Sequence, residues 1–293
     1  MPADSPTVFF LTGSSRGLGR AIAEAVLDAG HQLVATARNP ESLDDLVAAH
    51  PDRVLPLALD VTDPAAAEAA IAAGRERFGR LDVVVNNAGY ADLAAIEDVD
   101  PADFRAQIDT NLFGVVNVTK AALPVLREQG GHVIQVSSIG GRLATAGLAA
   151  YQSAKWAVGG FSSVLAAEVA PLGIKVTVLE PGGMQTDWAG SSMKVPPISD
   201  PYQPTVGRMA AMHNAETLAL GDPAKVARVV LQVAAMDDPP LRLILGSEAY
   251  VYATAAARAQ AESDERWHDL TVSTDRDDAT DADRDPLGAQ NRV

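Results

Sequence analysis

Apolar runs of strand length alternate along this chain with Ala-rich stretches of helical period. The first strand-like run is Thr7 to Leu11, a helical stretch follows from Gly17 to Ala29, and a second apolar run covers Gln32 to Thr36. That succession is a βαβ unit. The strand pattern recurs at Val54 to Leu59, Leu81 to Val85, His132 to Val136, Ile174 to Leu179 and Leu241 to Leu245. Each run is too continuously apolar for a sheet with one wet face, so helices must cover both faces. The helices predicted between them include Asp63 to Phe78, Pro101 to Arg127 and Tyr151 to Ala170. In the first, Asp63 is placed to cap and Pro64 to open the helix. The expected architecture is α/β, a Rossmann-type doubly wound parallel sheet of about seven strands with its ligand crevice beyond their carboxyl ends.

Two segments break the rhythm. Asp187 to Gly221 mixes Gly, Pro, Ser and Met without a sustained period and reads as a long loop with at most a short helix. Its Trp188, Met193, Val195, Tyr202, Met209 and Met212 suit a lid over an apolar ligand, the usual role of so long a loop. An Ala-rich helix is predicted from Ser247 to Trp267, after which Asp and Arg dominate. The expected organisation is one domain over residues 1–270, with 187–221 inserted as a substrate lid, and an acidic tail over 271–293.

Composition narrows the function classes. With 47% hydrophobic residues in 293, the chain can bury a large core. Lys and Arg total 23 against 38 Asp and Glu, and the net charge of −15 repels a phosphate backbone and an anionic membrane surface alike. Neither nucleic acid nor membrane is an expected partner. The absence of cysteine removes disulfide, thiolate and iron–sulfur chemistry, and the five His show no ligand spacing, so no metal is expected. No apolar run reaches the roughly 18 residues of a membrane span, and Met1 to Pro6 lacks the basic region of a signal peptide. A cytoplasmic location is therefore expected.

Three groups of residues carry chemistry. Thr12-Gly13-Ser14-Ser15-Arg16-Gly17-Leu18-Gly19 links the first strand to the first helix. Its glycines let the backbone turn sharply and approach a pyrophosphate, whose charge faces the helix N-terminal N–H groups. Tyr151 and Lys155, four residues apart, project from one helix face. A phenol titrates near 10, so acid–base work near neutrality asks for a pKa lowered by about two to three units. The Lys155 ammonium has the sign and distance to lower it, and its three donors can also hold ribose hydroxyls. Tyr151 would then protonate a carbonyl oxygen as hydride arrives, or take the alcohol proton in reverse. After the second strand stands Thr36-Ala37-Arg38, where NAD-dependent folds usually place a carboxylate. Ala37 leaves room for a 2′-phosphate that Arg38 and Arg16 can neutralise, which points to NADP(H).

The glycine spacing resembles the T-G-x-x-x-G-x-G of the short-chain dehydrogenase/reductase family. The resemblance spans Thr7 to Gly246 and rests also on Asn86-Asn87-Ala88-Gly89, Asn111, Ser138, Tyr151 with Lys155, and Pro181-Gly182 with Thr186. It implies a catalytic set of Asn111, Ser138, Tyr151 and Lys155. Ser137 and Ser138 point to opposite faces of a strand, and the family's spacing of thirteen residues to Tyr151 selects Ser138. Asn111 would hold a water that passes protons to Lys155, although nothing local separates it from Asn117. The resemblance further implies cofactor contacts from Gly13, Ser15, Arg16, Gly17, Leu18 and Gly19 of the loop, and from Arg38. Asp60 would accept from the adenine amino group, with Val61 beside it. Asn87, Ala88 and Gly89 would line the adenosine side. Tyr151, Lys155, Pro181, Gly182 and Met184 complete the implied set with Thr186, which would hold the nicotinamide carboxamide.

Glu180 to Trp188 and the helix after Gly246 look most like the 17β-hydroxysteroid-dehydrogenase-like branch, whose sites accept steroids, retinoids, polyketides and small ketones. Met184, Trp188, Ile139, Leu143, Leu148 and Tyr90 would supply an apolar pocket. The activity implied is NADP(H)-dependent interconversion of a ketone or aldehyde and an alcohol on a hydrophobic small molecule. One alternative is a 3-oxoacyl-thioester reductase. Another is a non-catalytic NADP(H) sensor, although such proteins typically lose the Tyr or Lys kept here. Sugar epimerases and dehydratases share Tyr-x-x-x-Lys but have a different glycine spacing. The resemblance implies a homodimer or homotetramer, since the family commonly packs the helices beginning near Asn111 and Tyr151 against those of a neighbour. Here the latter helix carries Trp156, Phe161, Val164 and Leu165, more apolar surface than one sheet face needs.

Overall fold

In the computed structural model, which describes residues 6–184, 193–213 and 219–285, the apolar runs become strands buried on both faces. β1 (Val8–Thr12) is buried along its whole length. Its side chains alternate between two cores: Phe9 and Leu11 join one cluster, Val8 and Phe10 the other. The remaining strands are β2 (Gln32–Ala37), β3 (Val54–Ala58), β4 (Val83–Asn86), β5 (Gly131–Val136), β6 (Ile174–Pro181) and β7 (Arg242–Leu245). All pair in parallel in the order β3-β2-β1-β4-β5-β6-β7. The order reverses between β1 and β4, so the crevice opens there, at the carboxyl ends.

One face is covered by α1 (Gly17–Asp28) and α8 (Pro223–Ala235), which contribute Ile22, Val26, Val226 and Val230 to the first core. The other is covered by α3 (Pro64–Phe78), α5 (Gly114–Leu126) and α6 (Ala149–Val169). The N-cap expected at Asp63 is present: its carboxylate accepts from the N–H groups of Ala65 and Ala66. A short α2 (Asp44–Ala49) stands between β2 and β3.

The single helix expected from Pro101 to Arg127 is interrupted. α4 (Pro101–Ile108) passes through a π-helical turn at Asp109–Phe113 before α5 begins. The wide turn accommodates the buried Asn111, whose side chain bonds backbone outside the regular helical ladder.

Within the segment expected to be a long loop with a short helix, residues 193–213 contain helical turns at Asp200–Tyr202 and Gln203–Gly207 and then the short α7 (Arg208–His213). Met193, Ile198, Tyr202, Val206 and Met209 pack with Leu93, Ala95 and Leu148 as a third apolar cluster. This segment is tied to the chain after β4: Lys194 N–H donates to Asp92 at 3.0 Å, and the Tyr202 hydroxyl to Glu97 at 2.7 Å. Chain contacts divide the protein into two units, Met1–Tyr252 and Ala253–Val293. α9 (Ser247–Arg266) is followed by the short helices α10 (His268–Val272) and α11 (Asp281–Arg284), so the expected tail carries local helical structure. No described helix is long and apolar enough to cross a membrane.

Burial of His132 on β5 makes the fold acid-sensitive. Its Nε2 lies 3.0 Å from the Thr177 hydroxyl, which itself donates to Pro240 O, so Nε2 carries the proton, and Nδ1 has no hydrogen-bond partner among the described residues. Desolvation pushes the imidazole down from 6.5 to about 4. The unfolded chain therefore binds the extra proton between these values, and stability falls as pH drops below about 6.5. Urea midpoints should be lower near pH 5 than near pH 7, and His132→Gln should reduce that difference.

Candidate active site

The loop after β1 is shaped for close backbone approach. Gly13 and Gly17 adopt φ of +70° and +55°, and a Cβ on Gly19 would sit 2.0 Å from Gly13 O. The loop is also anchored from below. The Asn87 side-chain amide donates to Thr12 O and Gly13 O, while the Thr12 hydroxyl accepts from the N–H groups of Asn87 and Ala88. Asn87, expected to line an adenosine site, thus also works as a strut across the switch point. Ser14, buried inside the turn, links Leu11 O to the backbone of Thr36.

The charge around this loop is arranged for an anion. Arg16, the residue preceding α1, leaves the helix N-terminus without a side-chain cap. Arg16 and Arg38 are both exposed, and among the described residues neither has an ion-pair partner. Ala37 is buried at the end of β2, so no carboxylate occupies the position where one would repel a 2′-phosphate. Asp60, beyond β3, is held below the ordinary carboxyl range by the N–H and hydroxyl of Thr62. A glycine cradle that a side chain would fill, an uncapped helix N-terminus and two unpaired arginines fit a dinucleotide with a 2′-phosphate.

The second half of the site lies at the end of β5. Ser138 caps a short turn at Ile139–Gly141, its oxygen accepting from Gly140 N–H at 3.0 Å. Ser137 turns the other way, toward the Lys155 carbonyl. On α6, Tyr151 and Lys155 are both buried, with Lys155 Nζ 5.6 Å from the centre of the phenol ring. Asn111 is fully buried: its Nδ2 donates to Tyr90 O and Gln107 O, and its Oδ1 accepts from Tyr90 N–H. A Cβ on Gly89 would lie 2.5 Å from that Oδ1 and 3.7 Å from Lys155 Nζ, which brings Asn111, Gly89 and Lys155 together. Asn117 points elsewhere, to Val61 O.

The expectation that Lys155 lowers the Tyr151 phenol is not met here. Burial pushes Tyr151 up from 10.0 to about 12, opposed by its hydrogen bond with Ser138. Burial also lowers Lys155 from 10.5 to about 8, and its Nζ donates to Val136 O at 2.9 Å. Desolvation exceeds the field of an ammonium that is itself spent on a carbonyl.

Other expected positions are distributed differently. Gly182 N–H donates to Leu245 O, while Met184 bridges to Gly221 and packs on the first core. Leu148 belongs to the third cluster, and Ile139, Leu143 and Tyr90 are half-buried. Thr186 and Trp188 lie outside the described residues. Sequence reasoning missed Glu180: fully buried on β6, its carboxylate is held by Arg142 and Arg242.

Residues 7–195 match the family model for short chain dehydrogenases. The chain belongs to the short-chain dehydrogenase family. An oxidoreductase of Botryotinia fuckeliana, BOA17, is 56% identical over 270 residues, covering 91% of this chain and 98% of the relative. A short-chain dehydrogenase from Streptomyces avermitilis superposes with a TM-score of 0.88 at 38% identity, over 93% of this chain and all of that one. Another from Burkholderia cenocepacia, solved in complex with NADP, gives 0.71 at 26% identity, over 89% and 97%. In this short-chain dehydrogenase, the glycine cradle and the Tyr151–Lys155 pair therefore stand on a scaffold shared with oxidoreductases.

Proposed function

We propose that this short-chain dehydrogenase interconverts a ketone or aldehyde and an alcohol on a hydrophobic small molecule, with NADP(H) as cofactor and Tyr151 as general acid/base. The observation that carries the reading is the buried Tyr151–Lys155 pair beside Ser138 at the carboxyl edge of the sheet. The backbone of Gly13, Gly17 and Gly19 would hold the pyrophosphate, and Arg16 and Arg38 the 2′-phosphate. When bound, the nicotinamide supplies or accepts hydride. The chain's own groups handle the proton. With its phenol pushed up to about 12, Tyr151 is neutral near pH 7 and can donate to a carbonyl oxygen, while Ser138 offers a second hydrogen bond. Lys155 supplies positive charge beside the phenol and donors for ribose hydroxyls. The third apolar cluster supports a wall of the pocket from 193–213, the longer described part of the proposed lid. Oxidation of NADPH followed at 340 nm across hydrophobic ketones and aldehydes tests the reading; failure on every carbonyl would reject it.

Lys155 gives the activity a pH signature. Because burial lowers its ammonium to about 8, the charge is present below that value and disappears as pH rises through it. Ketone reduction should decline between about pH 7 and 9. A flat profile of kcat/KM over that range would contradict the assignment.

We also propose a homodimer or homotetramer, on a surface narrower than the sequence suggested. Leu165 packs into the second core and Phe161 lies partly against it, whereas Trp156, Val164 and Phe113 remain more than half exposed. Light scattering at micromolar concentration should find no monomer, and Trp156→Glu with Val164→Glu should produce one.

A further inference from the structure

Glu180 stands one residue before the end of β6, and no part of it reaches solvent. Each carboxylate oxygen is taken by a different arginine. Arg142 donates through Nε at 2.7 Å and Nη2 at 2.6 Å to Oε2, while Arg242 donates through Nε at 2.9 Å, and through Nη2, to Oε1. A buried carboxylate is costly to desolvate, and replacing such a group by apolar side chains often leaves stability unchanged or improved. Stability alone is therefore a weak reason for this cluster.

Its attachments point to another role. Arg142 directly follows the turn capped by Ser138, and a Cβ on its neighbour Gly141 would lie 2.9 Å from Lys155 O. Arg242, at the start of β7, packs its guanidinium against Gly159 on α6, where a Cβ would approach Nη2 to 2.9 Å. Gly159 follows Tyr151 and Lys155 at successive steps of four, so the three share one helix face. One arginine thus holds the turn bearing Ser138, the other abuts the helix bearing Tyr151, and both converge on Glu180.

We infer that Glu180, with Arg142 and Arg242, is a positioning cluster that fixes the Ser138 hydroxyl against the Tyr151 phenol. This rests on the catalytic roles proposed above for Ser138 and Tyr151. None of the three need touch substrate. Their charges lock two elements whose relative placement sets the proton-transfer geometry, where a shift of about 1 Å costs up to roughly 100-fold in rate.

The test combines kinetics with crystal structures of the full chain. Arg142→Ala should lower kcat for ketone reduction about 10- to 100-fold, leaving substrate KM and the NADPH dissociation constant within about twofold. Its Ser138 Oγ to Tyr151 Oη separation should grow by about 1 Å. Arg142→Lys, which keeps the charge without the planar fork, should recover part of the loss. Should Arg142→Ala not fold, Glu180→Gln, which keeps the shape without the charge, takes its place. An unchanged separation overturns the positioning role, as does a kcat loss matched by lost NADPH binding. A wild-type protein that reduces none of the carbonyls defeats the proposed function instead, and the separation then decides the cluster's role alone.

Discussion

Tyr151→Phe should abolish carbonyl reduction while leaving NADPH binding nearly intact. The substitution removes one hydroxyl, with its hydrogen bond to Ser138, and leaves the buried ring in place. What disappears is the proton. A phenol pushed up to about 12 is fully protonated at neutral pH, and the Phe ring has no proton to give in its place. Ser138 alone can polarise the carbonyl oxygen but must keep its own proton. A fall of about a hundredfold or more in kcat is expected, within the range for loss of a general acid. Stopped-flow turnover with NADPH fluorescence titration separates the two effects. Retention of a tenth of the wild-type rate would exclude Tyr151 as the acid.

Arg38→Asp should reverse the cofactor preference. In the wild type, the exposed guanidinium beyond β2 has no ion-pair partner among the described residues and is available to an anion. A carboxylate there repels a 2′-phosphate and can accept from a free ribose diol. Because the site is open to water, the loss for NADPH should lie near the lower end of the values for broken interfacial pairs, about 2 kcal/mol, or roughly 30-fold. NADH should gain at the same time. Ratios of kcat/KM for the two cofactors measure the change, and a wild type already favouring NADH would show the charge argument to be wrong.

The sheet was legible in the sequence because strands buried on both faces write their position as unbroken apolar runs, and Val8 to Leu11 alternate between two cores without one polar break. The glycine cradle, Ser138 and the Tyr151–Lys155 pair were legible for a related reason: each sits next to a strand end or at a helical spacing. What was hidden depends on partners distant along the chain. Glu180 meets Arg142 and Arg242 from 38 and 62 residues away, and no local pattern announces that meeting. The π-helical turn at Asp109–Phe113 was invisible because the helical period on either side is nearly continuous. The sense of the Tyr151 shift was misread because a one-dimensional view counts the neighbouring charge and misses the removal of water. Leu165 illustrates the same limit, since periodicity cannot say which of two apolar faces meets the sheet.

The strut from Asn87 to the Gly13 loop has a consequence for how the two halves of the crevice are filled. Its side chain bonds two successive carbonyls while the Thr12 hydroxyl receives two backbone N–H groups in return, so β1 and β4 are stitched together where the sheet would otherwise gape. A mould finished in this way loses little conformational freedom when a dinucleotide enters. The wall proposed for the substrate pocket is packed differently, Met193, Val206 and Met209 leaning on Leu93 and Leu148, and its methionines are side chains that can repack around guests of different outline. On the proposed function, tolerance toward the carbonyl compound and strictness toward the dinucleotide would be two properties of one crevice, divided along the line where rigid backbone gives way to adaptable side chains.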